Sequence, residues 1–258
     1  MKKLALLILL LSAVFQFQAR ALSFSDTVQI NTPLSPLDSL KQELKLTQYD
    51  SLKAGIYIQI AAQYLKYDTI ANKKIKANYQ NEAINYTMLA LHGYSRYSDT
   101  LGMRTCFNYL TKVYRSQKKY SQAKWFILQS NTISRAIDDR PNIIASLIEL
   151  AGIKVDIKDY SLAVRDLNEA LKLSVDNHFP ATEAKVQESY AFYYSRIKNY
   201  AKEALALKRR DFINDSLAKA QRAMLAKANV QDTVPSKKKL LVAKKNNRSI
   251  SLKRIASL

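Results

Sequence analysis

Tyrosine recurs at residues 120, 160 and 200, and each copy opens a similar short segment. The segments are Lys119-Tyr120-Ser121-Gln122-Ala123, Asp159-Tyr160-Ser161-Leu162-Ala163 and Asn199-Tyr200-Ala201-Lys202-Glu203-Ala204, the last with its alanine displaced by one residue. An upstream copy, Asn78-Tyr79-Gln80-Asn81-Glu82-Ala83, keeps its alanine in register. A period of 40 residues confines the chain to architectures that stack one supersecondary unit. A single unit leaves its apolar face in water, and only neighbours can cover it.

The contents of the unit are helical. After Tyr160, the residues Ala163, Leu167, Ala170 and Leu171 recur at the spacing that lines one face of a helix. A second amphipathic stretch precedes each tyrosine. It carries Phe107, Leu110, Val113 and Tyr114 before the first, Ile144, Leu147, Ile148, Leu150 and Ala151 before the second, and Val186, Tyr190, Tyr193 and Tyr194 before the third. The unit is a helix, a short polar turn and a second helix. The small alanine admits close helix approach, and the tyrosine covers the turn. Only four glycines occur in 258 residues, too few for the tight turns of a sandwich, barrel or doubly wound sheet.

Leu147, Ala151, Tyr160, Ala163, Leu167 and Ala170 give this pattern a family likeness, as do Phe107, Leu110, Tyr114, Tyr120, Ala123 and Ile127. It resembles the tetratricopeptide repeat family, in the long-repeat variety of exported Bacteroidetes proteins. The resemblance covers about residues 50–218. It implies an all-α, right-handed solenoid of stacked antiparallel helix pairs, and longer inter-repeat loops than the usual repeat of about 34 residues. The first helix is expected over Asp50 to Lys66, paired with 75–92 across an insertion at Asp68–Lys74.

In that family the concave groove is lined by the first helix of each pair. The resemblance places Asn108, Lys112, Arg115, Ser146, Glu149, Ile153, Glu188, Ala191 and Ser195 there. Most of the sixteen tyrosines are expected in inter-helix packing, and Trp125 in the core or on the convex side.

The ends differ from the array. Lys2 and Lys3, an apolar run from Leu4 to Phe17, and Ala19-Arg20-Ala21 form the three parts of a secretory signal peptide over residues 1–21. The apolar run is shorter than the roughly 20 residues of a membrane span. Cleavage after Ala21 predicts a periplasmic or secreted protein with no transmembrane segment. Residues 22–49 read as a linker and lead-in. Residues 219–258 read as a helix extension followed by a disordered basic tail. Eleven Lys or Arg face the single Asp232 there, a charge of +10 within a total of +20. Such a tail supports weak contact with anionic surfaces, while export disfavours nucleic acid as a partner.

Chemistry-bearing motifs do not occur. His92 and His178 are isolated, the seven glutamates form no paired constellation, and HExxH, CxxC, P-loop, GxSxG and GxGxxG patterns are lacking. Cys106, a lone cysteine, fits a small core residue. The sequence therefore predicts no enzyme, no metal and no cofactor. It predicts a scaffold that binds another polypeptide. Two other readings stand beside it: a sensory module without its output domain, and an envelope-anchoring protein acting through its tail. A further pattern is Asp-Ser/Thr-apolar, found at seven of fourteen aspartates. It resembles the O-glycosylation acceptor of exported Bacteroidetes proteins, at Thr27, Ser39, Ser51, Thr69, Thr100, Ser216 and Thr233. Aspartate, serine and threonine also favour helix starts, which accounts for the same pattern without modification.

Overall fold

The computed structural model describes residues 34–255, with side chains to residue 227. The described residues form nine α-helices and no strand. They are α1 (Pro36–Leu46), α2 (Asp50–Tyr64), α3 (Lys73–Arg96), α4 (Thr100–Ser116), α5 (Tyr120–Ala136), α6 (Arg140–Asp156), α7 (Tyr160–Asp176), α8 (Pro180–Arg196) and α9 (Tyr200–Ile255). A 3₁₀ turn at Leu65–Thr69 follows α2. Each helix packs on the next, the arrangement of an all-helical repeat solenoid.

The true structural step is 20 residues. Helices α4 to α8 each hold 17 residues, and the turns between successive helices hold three. The expectation of longer inter-repeat loops is therefore corrected: the residues beyond the usual repeat extend the helices. Residues rich in Leu, Ala, Lys and Gln favour that lengthening.

Each turn is built the same way. Ser98, Lys118, Asp138, Lys158, His178 and Lys198 all take positive φ, between 51° and 64°. The residue after each donates its N–H five residues back, as in Asp99 to the Tyr94 carbonyl and Asp159 to the Lys154 carbonyl. This double-bonded C-terminal turn usually has glycine at the left-handed position. The next helix is then capped at once: Asp99 accepts from the Gly102 N–H, Asp139 from Asn142, and Asp159 from Leu162. A left-handed conformation costs a non-glycine residue about 1–2 kcal/mol. Glycine's extra chain entropy returns about 0.5–1 of that. Lys118→Gly and Lys158→Gly are each expected to raise stability by a few tenths to about 1 kcal/mol. Urea unfolding checks this, and a loss of stability at both sites would refute it.

The last Tyr-x-x-Ala copy has no backbone slip. α9 begins at Tyr200, in step with α5 and α7, so Glu203 takes the alanine's place and Ala204 is exposed. In the upstream copy Ala83 is fully buried, as its register requires. Gln80, in the tyrosine register, is also buried and donates to Ser116 Oγ at 2.9 Å.

The main core runs along the inner sides of α6 to α9, from Ile144 and Leu147 through Leu167 and Ala170 to Val186 and Tyr190. A second core joins Ile56, Ile60, Tyr64 and Tyr67 to Ala83 and Val113. The segment 36–46 is helical, and Leu37, Leu40 and Leu44 pack on that second core. Gly93 is required by close approach: a Cβ there would stand 2.8 Å from Ala54 Cβ.

The backbone of 219–255 continues α9, where the sequence suggests an extension and then a disordered tail. Residues 1–21 and Thr27 lie outside the described residues, as does the side chain of Thr233. No helix among the described residues is long and apolar enough to cross a membrane.

Candidate protein-interaction groove

The first helices of the pairs, α4, α6 and α8, present one face that no second helix covers. Their side chains recur there at the repeat's 40-residue step. Asn108, Ile148 and Glu188 share one position, and Lys112, Gly152 and Phe192 share another. α6 and α8 touch directly. A bridge joins α4 to α6: Arg115 Nε donates to Asp156 at 2.8 Å and Nη1 to Glu149 at 3.0 Å. Burial opposes the charge on Arg115, but the two carboxylates outweigh it and raise the guanidinium above its ordinary value.

Two cavities adjoin at this bridge. The first, about 590 Å³, lies between α4 and α6, with Ile127 of α5 at its floor and Tyr67 and Asp68 closing one side. Tyr67 is fully buried and donates to the Lys112 carbonyl at 3.2 Å. Asn108, Lys112, Arg115, Ser146 and Glu149 line this cavity, so five of the nine expected groove residues converge. Asn108 accepts from Ser130 Oγ at 2.6 Å, and Ser146, almost wholly buried, accepts from Asn131 at 2.5 Å. The second cavity, about 420 Å³, lies between α6 and α8. Its apolar wall is Ile148, Ala151, Val155, Leu167 and Phe192, and Lys185 and Glu188 stand at its rim. Gly152 sits between the two. A Cβ there would come within 2.7 Å of the Arg115 guanidinium, so the bridge lies flat against bare backbone.

Two expected groove residues are corrected. Ile153 is fully buried with Ala123, Ile127 and Leu150, and Ala191 is 4% exposed in the main core. The reason is register. Ile153 repeats Val113 and Tyr193, and Ala191 repeats Thr111 and Ala151, all of them buried. Ser195 is exposed on α8 but lines neither cavity. Phe192, Gly152, Ile148 and Asp156 belong to the site and were missed. Stepping 40 residues from Lys112 leads to Gly152 and Phe192, so the signal lay in the repeat itself.

Elsewhere the residues hold to packing. Trp125 is 53% exposed on α5, edge-on to Phe107 and Phe126. Burial pushes the Cys106 thiol up to about 12, which keeps it protonated and unreactive near neutral pH. Ser39, Ser51, Thr69, Thr100 and Ser216 are all exposed. Thr69 and Ser216 direct their hydroxyls to the carbonyls of Lys66 and Phe212, and Asp99 beside Thr100 caps α4.

Fold and groove together define an all-helical repeat protein whose stacked helix pairs fit a tetratricopeptide-type fold. No family model and no curated protein matches the chain. Among solved structures, BtubC (BKLC) from P. vanneervenii is similar at a TM-score of 0.57 and 15% identity, over 70% of this chain and 72% of that one. The apo form of RapI is similar at 0.58 and 16% identity, over 72% of this chain. The chain spans 65% of RapI's length. At these identities the likeness extends to the fold alone.

Proposed function

We propose that this chain is an exported, non-catalytic scaffold of the tetratricopeptide repeat family that binds another polypeptide in its concave groove. One observation carries the reading: two adjoining cavities open on the face that the repeat leaves uncovered. Their lining mixes an apolar wall with a few fixed polar groups, which is the make-up of a recognition site. Phe192 is the candidate anchor. It is 37% exposed in the groove and carries the Arg196 guanidinium 4.9 Å from its ring centroid. Large aromatic residues at the centre of an interface supply most of its binding energy.

Export rests on the leader at residues 1–21 and places the protein in a periplasm or outside the cell. The basic tail is an accessory that adds salt-sensitive attraction to anionic surfaces. The exposed Asp-Ser/Thr sites are free to carry glycan. Copurification of the tagged chain from its native envelope tests the scaffold reading. Wild type is expected to return one polypeptide at stoichiometric yield, and Phe192→Arg to lose it. Recovery that survives Phe192→Arg but disappears without residues 230–258 would move the binding to the tail.

A further inference from the structure

The last repeat lacks a ring that the first one carries. Tyr114, Lys154 and Tyr194 share one position on the first helices, and Phe126, Asp166 and Ala206 share one on the second. Phe126 stacks on Tyr114 with centroids 5.5 Å apart and rings 5° from parallel. One period on, Lys154 and Asp166 join the same two positions as an ion pair. One further period on, the second position holds only the methyl group of Ala206, and a cavity of about 430 Å³ opens beside it. This cavity lies on the opposite side of α8 from the groove. Gln187, Tyr190 and Tyr194 line it, whereas Lys185, Glu188 and Phe192 face the groove, about half a helical turn away. Tyr190 and Tyr194 stack at 5.9 Å and 17° and form its aromatic wall.

The lining holds two cations, Lys202 and Arg209, and, among the described residues, no carboxylate. Arg209 is matched by Glu183 at 2.9 Å. Lys202 stands in no ion pair among the described residues, and its Nζ lies 5.6 Å from the Tyr194 ring centroid. Tyr190 donates to Asn168 at 2.5 Å, and burial pushes its phenol up to about 12, so it adds no negative charge near neutral pH. Two cations against Glu183 leave a local charge of +1, the same sign as the +20 of the chain. From this lining we infer a second binding site, on the side of the array opposite the groove, for a polypeptide segment in which an aromatic residue stands beside an acidic one. The ring enters beside Ala206 and takes the part that Phe126 plays in the first repeat, packed against Tyr194. The carboxylate meets Lys202. Leu205, 66% exposed at the cavity's edge, extends the apolar contact beyond what one ring covers, which favours a segment of chain over a small aromatic acid. An exposed ion pair adds little affinity. The ring therefore supplies most of the binding, and the charge supplies the selectivity.

The test uses the full chain and three fluorescent peptides: a phenylalanine flanked by glutamates, the same peptide with alanine for the phenylalanine, and a phenylalanine flanked by lysines. Fluorescence anisotropy at about 0.15 M salt reads their affinities. The alanine peptide measures what the basic tail takes up by charge alone. The glutamate-phenylalanine peptide is expected to bind tightest, and loss of its ring to cost about tenfold. Ala206→Phe copies the first repeat into the third, and is expected to unfold as cooperatively as wild type and to lose the peptide. Lys202→Glu, on the exposed surface, leaves the packing alone and is expected to weaken the peptide about fivefold. Equal binding with and without the ring overturns the inference, as does equal or tighter binding of the lysine peptide, or binding of none of the three. So does an Ala206→Phe protein that folds and binds as wild type, or a Lys202→Glu protein that binds without loss. Phe192→Arg is expected to leave this binding unchanged. Loss of the peptide there would put it in the groove, which removes the second site and leaves the scaffold reading standing.

Discussion

Replacing Asp166 with alanine is expected to destabilise the fold by about 3–5 kcal/mol, the largest effect of any polar substitution in the array. Lys154 and Asp166 form an ion pair at 2.5 Å, with side chains only 5% and 7% exposed. Removing one partner strands a charge in a medium that solvates it poorly. The pair itself adds little. Burial raises the Asp166 carboxyl above its ordinary value even with Lys154 against it, so the ionised form is held at a desolvation cost. A carboxyl raised on folding binds its proton more tightly in the folded state. Asp166 by itself therefore makes stability fall as pH rises through the carboxylate range.

The repeat supplies the control. One period upstream, the same two positions hold Tyr114 and Phe126, stacked at 5.5 Å and 5°. The double variant Lys154→Tyr, Asp166→Phe copies that solution into the next repeat. It is expected to be neutral or to gain up to about 4 kcal/mol, since well-packed apolar groups often match or exceed a buried ion pair. Chemical denaturation of the single and double variants reads both effects. A loss below about 1 kcal/mol for Asp166→Ala would mean that water reaches the pair.

The second large effect separates core from groove on the two face-determining helices. Ile153→Ala is expected to cost about 2–5 kcal/mol, because Ile153 is fully buried and its removal leaves a cavity. Phe192→Ala is expected to cost about 1 kcal/mol or less in stability while removing the groove's apolar anchor. Thermal unfolding and partner binding, measured on both variants, form a crossed pair. If Ile153→Ala unfolds as the wild type does, the register that places 113, 153 and 193 inside is wrong. If Phe192→Ala binds the partner as the wild type does, the anchor lies elsewhere.

Much of this molecule is local, and so was legible in the chain. Helical spacing from Phe107 to Val113 and from Ala163 to Leu171 marks helices whatever surrounds them. The tyrosines at 120, 160 and 200 mark three second helices at their first residues. The turns were less legible. Lysine, serine, aspartate and histidine stand where glycine would have announced the left-handed position. The step of 20 residues was thus hidden inside the step of 40.

The sequence by itself determined the class: local propensity and a repeated apolar pattern admit only stacked helix pairs. The tertiary structure alone decided which side of each first helix faces out. Ile153 and Ala191 are as apolar as a core demands and Arg115 as polar as a surface demands. Yet a helix with apolar residues on several sides has more than one way to present itself. Its neighbours settle the choice, by burying 113, 153 and 193 together and leaving Lys112, Gly152 and Phe192 to the groove.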